Sequence, residues 1–565
     1  MRDGRIKPLK TILITMAVCL LVVAGNADAG TYTSTKHGTD ADRSVVVPGF
    51  PYTTKGLCAQ CHEQHAGIDG NEPTPPASEG PTSYALFRSN FGLDKNELCY
   101  ACHETFTIGS MPLGYGRYGI YQGKTKYNNS IHYSSGNMLW SPDPVPPGPP
   151  LDDAGNCHNC HNPHGYDDGG GLIPNMLFAR DSKTGDSPAY EMGCEACHDG
   201  TQGGAFKNVK AQLNKTYSHP THRFNNRHVL PETGRSEGGS SFGPANRHAE
   251  CVDCHNPHAL GSTGSTHTPP GNAVSGALKN VWGVAPSWPS IWTQPKIFTV
   301  RRPPAYPDGS SKEYQICFKC HSYYGLGSLT NAVSSIIGPS GVNITDQAWE
   351  FNRNNKSAHS VVVTLNNQTG SYSPKALASS QMSPPWTNVG NQTMYCSDCH
   401  GADNEGSGAK GPHGSNVKFM LKGAYKYWPA RNDGQLWRLS DKNNFTSYGG
   451  LFCKNCHPVY DGTWKNNVHS QTGGGGRGGS GGHQDQPCVA CHVAVPHGSK
   501  RSRLIGYSSD PAPYNYNGNT LKVTGFRKAG GPFSYSGMPK NSTGNNCATA
   551  GVSGCHGSSI SGADP

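Results

Sequence analysis

Long apolar runs are scarce in this chain. Beyond the first 29 residues no stretch is apolar enough to cross a bilayer, which excludes a helical membrane protein of several spans. Periodic hydrophobic segments are also few. Gly 73 and Pro 43 together make about a fifth of the 565 residues, against roughly an eighth in an average chain. Such a composition builds few long helices or strands and leaves an ordinary side-chain core undersupplied. Something else is expected to furnish the apolar interior. No fixed repeat length is present either, so a solenoid of equal units is excluded.

The apolar stretch that does exist lies at the start. Arg2, Arg5, Lys7 and Lys10 precede it, Thr11 to Gly25 form it, and Ala27, Asp28 and Ala29 offer small residues for cleavage before Gly30. Residues 1–29 therefore read as a signal peptide. Cys19 falls inside that segment, without the small-residue setting of a lipid-attachment cysteine. The twenty remaining cysteines would pass through an oxidising compartment, where disulfides are the usual outcome.

Their spacing overrules that habit. Nine copies of Cys-x-x-Cys-His occur, numbered here in chain order as motif 1 (Cys58, Cys61, His62), motif 2 (Cys99, Cys102, His103), motif 3 (Cys157, Cys160, His161), motif 4 (Cys194, Cys197, His198), motif 5 (Cys251, Cys254, His255), motif 6 (Cys317, Cys320, His321), motif 7 (Cys396, Cys399, His400), motif 8 (Cys453, Cys456, His457) and motif 9 (Cys488, Cys491, His492). Shuffling this composition would give about 0.04 copies. The pattern is the attachment signature of c-type haem. Cysteines three apart share one side of a helical turn, so both sulfurs reach one porphyrin, and the following histidine is aimed at its iron. Structural zinc would pair Cys-x-x-Cys units in twos and would not need a histidine after each. Near the end, Cys547, Cys555 and His556 keep the Cys-His ending with seven residues between the cysteines. This is expected to be a tenth attachment site, the competing reading being a disulfide loop. Nine haems are thus expected from regular motifs and a tenth from the expanded one.

Ten of the 26 histidines close these motifs, leaving 16, enough to give every iron a second imidazole. His65, His164 and His258 follow their motifs in Cys-His-x-x-His steps. His413 and His497 stand in Pro-His-Gly, and His248 and His483 lie just before a motif. His132, His359 and His469 stand in loops beside serines or aromatics. These ten are the favoured distal ligands, with His37 and His219 next. His158, His222, His228 and His267 read as loop histidines. Each Cys-His-x-x-His histidine is expected to serve a haem other than its own motif's. Three residues of chain reach at most about 10 Å, too little to round a porphyrin edge. The 10 methionines show no recurring relation to the motifs.

The expected fold is mostly irregular, with short helices at the Cys-x-x-Cys-His motifs and a few small β-hairpins wrapped around a chain of haems. Residues 30–565 form one multihaem region with soft boundaries near 144–150 and 473–482. Hairpins are expected within 340–395, around Val361, Val362, Val363 and Thr364, and within 504–540. The cysteine-free stretch 262–316, with Trp282, Trp288 and Trp292, reads as packing over a haem face or as a docking surface. The formal charge of +9 would be reversed by two propionates per haem, which argues against nucleic acid as a partner and for basic side chains pairing with propionates.

The Cys-His-Asn-Pro-His steps at 160–164 and 254–258, the run from His248 to His258 and the Pro-His-Gly tails resemble the outer-surface and extracellular multihaem c-type cytochromes of metal-reducing bacteria, over about a quarter of the chain. The resemblance implies export beyond the outer membrane, or alternatively a periplasmic location. It also implies stacked bis-histidine haems, electron delivery to other redox proteins or extracellular acceptors, and for some members assembly into filaments. The competing class is a multihaem reductase of nitrite, hydroxylamine or sulfur oxyanions. Such an enzyme needs an iron with an open position and often carries Cys-x-x-Cys-Lys, which does not occur here.

Overall fold

The computed structural model describes Asn96, 127–134, 157, 160–161, 194–195, 197–200, 207–221, 236–237, 240–241, 249–261, 267, 273–301, 312–364, 377–404, 409–459, 487–516 and 520. Regular structure among these residues is short: single helical turns and two-stranded antiparallel ladders. The helices are α1 (Ile131–Ser134), α2 (Lys210–Leu213), α3 (Cys251–Cys254), α4 (Glu313–Cys317), α5 (Tyr323–Leu326), α6 (Gln347–Glu350) and α7 (Cys396–Cys399). The strands are β1 (Tyr217–Ser218), β2 (Ser236–Glu237), β3 (Ser240–Ser241), β4 (Gly283–Pro286), β5 (Phe298–Arg301), β6 (Val333–Ile337), β7 (Asn343–Thr345), β8 (Ser357–Ala358), β9 (Gly414–Ser415) and β10 (Gly498–Ser499). No helix among the described residues is long and apolar enough to cross a membrane.

The motifs form their turns for a local reason. In motifs 3, 5, 6, 7, 8 and 9 the histidine N–H donates to the carbonyl of the first cysteine, at 2.9–3.1 Å. One such bond closes one helical turn, and a lone turn is unfavourable without help at its ends. In α3 and α7 the help comes from inside the motif. Asp253 accepts the N–H of Glu250 at 2.8 Å and Asp398 that of Tyr395 at 2.7 Å, the reach-back half of a capping box. Past each turn His255 and His400 are extended, so the helix stops there.

Apolar side chains gather in several small clusters. Trp282, Val284, Tyr314, Phe318, Ala348, Phe351, Val361, Val362 and Met394 make one, bordered by Cys396, Cys399 and Cys456. Val417, Leu421, Trp428, Trp437, Phe445, Leu451 and Val489 make another, bordered by Cys453 and Cys488. The motif cysteines thus sit on the margins of the apolar clusters.

One expectation needs correction. Val361 to Thr364 is a turn. Val361 and Val362 bury their side chains against Trp282 and Met394, and this packing overrides their strand preference. Among the described residues the hairpins lie at β2–β3 (Ser236 opposite Ser241), β4–β5 (Gly283 opposite Arg301, Pro286 opposite Phe298) and β6–β7 (Val333 opposite Thr345), of which only β7 falls within 340–395. Within 262–316, Trp282 is buried at 4% exposure and Trp292 packs on Trp349 and Tyr514, so both rings serve internal packing. The linkers 144–150 and 473–482, the stretch 521–540, residues 1–29 and the Cys547/Cys555/His556 site lie outside the described residues, as do all of motifs 1 and 2.

Candidate functional site: three histidine joints

Four motif histidines are anchored by the chain that follows them. The Nδ1–H of His198 donates to Lys207 O (3.1 Å), His255 to Ala277 O (2.8 Å), His400 to Phe419 O (2.7 Å) and His492 to Arg503 O (3.1 Å). A carbonyl oxygen only accepts, so the proton sits on Nδ1 and the lone pair on Nε2. Phe419 and Arg503 hold left-handed φ of 63° and 59°, a cost for non-glycine residues that reorients the following backbone.

Three further joints bring distant histidines together in pairs. In the first, His132 on α1 lies beside His258: its Nδ1–H donates to Pro257 O at 2.9 Å, and Ile131 N donates to Leu260 O. In the second, β1 pairs with β9, His219 Nδ1–H donates to Pro412 O at 2.5 Å, and His219 N donates to His413 O. In the third, β8 pairs with β10, His359 Nδ1–H donates to Pro496 O at 2.6 Å, and His359 N donates to His497 O. The histidine and its proline are 125, 193 and 137 residues apart. That inequality is why no period is visible in three joints that share the bond from a histidine Nδ1–H to a proline carbonyl.

The Pro-His-Gly-Ser sequence at 412–415 and 496–499 follows from this construction. A Cβ on Gly414 would run into the Gln212 carbonyl oxygen, and one on Gly498 into that of Glu350. Ser415 and Ser499 then fold the chain by accepting the N–H of Val417 (2.9 Å) and Arg501 (3.1 Å).

Each joint histidine faces a motif histidine. Ring centroids are 5.9 Å apart for His258 and His161, 6.5 Å for His132 and His198, 5.8 Å for His413 and His255, 6.3 Å for His219 and His321, 5.9 Å for His497 and His400, and 6.4 Å for His359 and His457. The first joint therefore faces motifs 3 and 4, the second motifs 5 and 6, the third motifs 7 and 8. One such distance is ordinary for any aromatic pair. Six pairs, each joining one motif histidine to one histidine outside its own motif, are a pattern.

The spacing bears on haem. Two imidazoles on one iron, each about 2 Å from the metal, put their centroids about 6.3 Å apart. The donors are also in the protonation state a metal takes. Burial pushes His400 to about 4, His413 to about 3 and His457 to about 4, with neighbouring histidines adding, and it lowers His132, His219, His255 and His359. Neutral imidazole is the ligating form. The residues present fit haem.

Of the favoured distal histidines, His132, His258, His359, His413 and His497 stand in these joints. His65, His164, His248, His469 and His483 lie outside the described residues. His219 belongs with the five as a joint histidine although it ranked below them. It stands beside Ser218 and Tyr217, the same setting as His132 and His359, but His222 and His228 close by blur that signal. His267 sits elsewhere, its Nε2 3.0 Å from both oxygens of Asp398, and that carboxylate raises its pKa.

The cysteines of consecutive motifs lie near one another. Cys160 interacts with Cys194 and Cys197 of the next motif, and Cys254 with Cys317 and Cys320. Cys194 hydrogen-bonds Cys251, and Cys317 hydrogen-bonds Cys396. Burial raises Cys399 with Cys456 and Cys453 adding, and Cys488 with Cys453 adding. Motifs 3 to 9 are therefore neighbours in chain order. Glu313, Cys317 and Cys396 bring their ligand atoms within 4.8 Å of one another. A metal there would need thiolates, and the hydrogen bond with Cys396, with burial adding, holds the Cys317 thiol well above its ordinary pKa. No family model matches the sequence, and no curated protein or solved structure matches it.

Proposed function

We propose that the chain is a secreted multihaem c-type cytochrome that conducts electrons through closely spaced bis-histidine haems to extracellular acceptors or partner redox proteins. The observation that carries this reading is the agreement of two independent patterns: nine Cys-x-x-Cys-His motifs in the sequence and six facing pairs of one motif histidine with one joint histidine. The cysteines would hold the porphyrins by thioether bonds, and each facing pair would hold an iron from both sides. Bound haem supplies reversible one-electron chemistry. The chain's own residues anchor eight of the imidazoles through Nδ1 and leave the rings only part-exposed. They also keep successive sites adjacent, which short-range electron transfer needs. An iron held by two imidazoles has no position left for a substrate, so the reading is electron transfer and not catalysis. Export and an acceptor outside the cell rest on the basic-then-apolar start of the sequence and on the family resemblance, as does assembly into filaments.

The test is the full chain produced with a c-type haem attachment system. The intact mass should exceed the processed polypeptide by ten haems. Nine, with Cys547 bonded to Cys555, would remove the tenth site, and none would remove the reading. The reduced protein should be six-coordinate and low-spin and bind carbon monoxide poorly. Rapid carbon monoxide or nitrite uptake by a high-spin haem would favour a reductase.

A further inference from the structure

Among the hydrogen-bonded joint and motif histidines described above, one departs from the rule. Seven send the Nδ1–H to a backbone carbonyl. His497 sends it to a carboxylate, Glu350 Oε2, at 2.6 Å. Glu350 is fully buried, at 0% exposure. It closes α6, whose first turn is capped by Asp346 accepting the N–H of Trp349 at 3.0 Å. Its second oxygen is also engaged: Tyr514 Oη–H donates to Oε1 at 2.6 Å. Tyr514 is itself 2% exposed and packed against Trp292 and Trp349. Both carboxylate oxygens accept, so the group cannot swing away from the imidazole. Gly498 lets the backbone of Glu350 come this close to the segment that carries His497.

A buried carboxylate pulls harder on the Nδ1 proton than a peptide carbonyl does, because it carries a full charge where solvent cannot screen it. The imidazole becomes more electron-rich at Nε2, and an electron-rich axial ligand favours the oxidised iron. We infer that Glu350 is a positioning residue that tunes His497, making the haem of motif 7 a low-potential step in the line of haems. The inference rests on the haem reading above and adds to it a residue outside every motif. Motif 7 lies between motifs 6 and 8 in the line of adjacent cysteines, so the step would fall within the path and set the driving force on either side of it.

The structure also supplies a test with two opposite signs. Glu350→Gln keeps an acceptor for His497 and removes the charge. Tyr514→Phe keeps the charge and removes the hydrogen bond that partly offsets it. The experiment is a spectroelectrochemical titration of the haem-loaded full chain, with haem counted by intact mass and spin state read by electron paramagnetic resonance. Glu350→Gln should move one haem upward in potential, and Tyr514→Phe should move one haem downward, with haem number and low-spin state unchanged. Titration curves that superimpose on the wild type at full haem content, or two shifts of the same sign, would overturn the role of Glu350. A wild-type chain that carries no haem would instead overturn the haem reading beneath it. If Glu350→Gln fails to fold, the Tyr514→Phe shift still decides: downward supports the role, and upward or absent refutes it.

Discussion

At the scale of single residues, charge and proton placement carry the most testable content. Asp346 is fully buried. It accepts from Gln294 Nε2 at 2.7 Å and from Trp349 N, yet burial, with Glu350 adding, pushes its carboxyl up to about 7. The sign follows directly. A carboxyl raised above its unfolded value binds its proton more tightly when folded, so the folded state gains below pH 4 and loses that gain as pH rises toward 7. A shift of this size corresponds to up to about 4 kcal/mol. The Asp346 contribution to stability should therefore fall between pH 4 and 7, and Asp346→Asn should remove that contribution from the slope of thermal stability against pH, whatever it does to stability at one pH. Equal slopes in the two proteins would refute the assignment. His258 gives a second prediction, which distinguishes its own motif from the one it faces. Its ring lies 5.9 Å from that of His161 of motif 3, while His255 of its own motif faces His413. His258→Ala should convert one haem to high spin. Combining it with His161→Ala should affect that same single haem, because the two changes strike one iron. Combining it with His255→Ala should affect two. Spin counting by electron paramagnetic resonance checks all three.

At the scale of elements, two-residue strands are too short to be stable alone. The pairs β1–β9 and β8–β10 persist because helical turns back them and their histidines are anchored across the pair. Gly414 and Gly498 are the tight points, each closed by a backbone carbonyl. Gly414→Ala and Gly498→Ala should each cost about 1–3 kcal/mol, the usual range for forcing a methyl into a filled site. On the haem reading proposed above, the Gly414 variant should disturb the haems of motifs 5 and 6 together, and the Gly498 variant those of motifs 7 and 8, because one joint carries both facing histidines. Chemical denaturation and the low-spin absorption spectrum measure the two effects. Loss of one haem's low-spin character without the other's would show that the joint does not act as a unit.

At the scale of the whole molecule, adjacency in chain order is the property that matters. Cysteines of motif 5 interact with those of motif 6, and those of motif 6 with motif 7. Motif 6 is therefore an internal link. Replacing Cys317 and Cys320 with alanine should remove one haem and split the line. Electrode-driven reduction of the remaining haems should then become biphasic, with a slow phase orders of magnitude behind the fast one. The same loss at Cys488 and Cys491, near the described end of the line, should leave the other described motifs connected. Monophasic reduction in the Cys317/Cys320 variant would show that electrons do not depend on this order.

The sequence by itself determined the Cys-x-x-Cys-His motifs, because each is a local device: one turn, one hydrogen bond and adjacent side chains suffice to define it. It determined the scarcity of regular structure through its glycine and proline content, and it pointed to His132, His258, His359, His413 and His497 through their immediate neighbours. Only the tertiary structure decided which histidine faces which motif. The joints close over 125 to 193 residues, and nothing within a few residues of His219 says that its ring meets His321. The valines at 361–363 follow the same logic: their strand preference is outweighed by an apolar cluster assembled from distant segments. Glu350 gave no signal in the sequence: an acid at the end of a single helical turn, 147 residues from His497, acquires its significance from burial and from the two donors that folding brings to it.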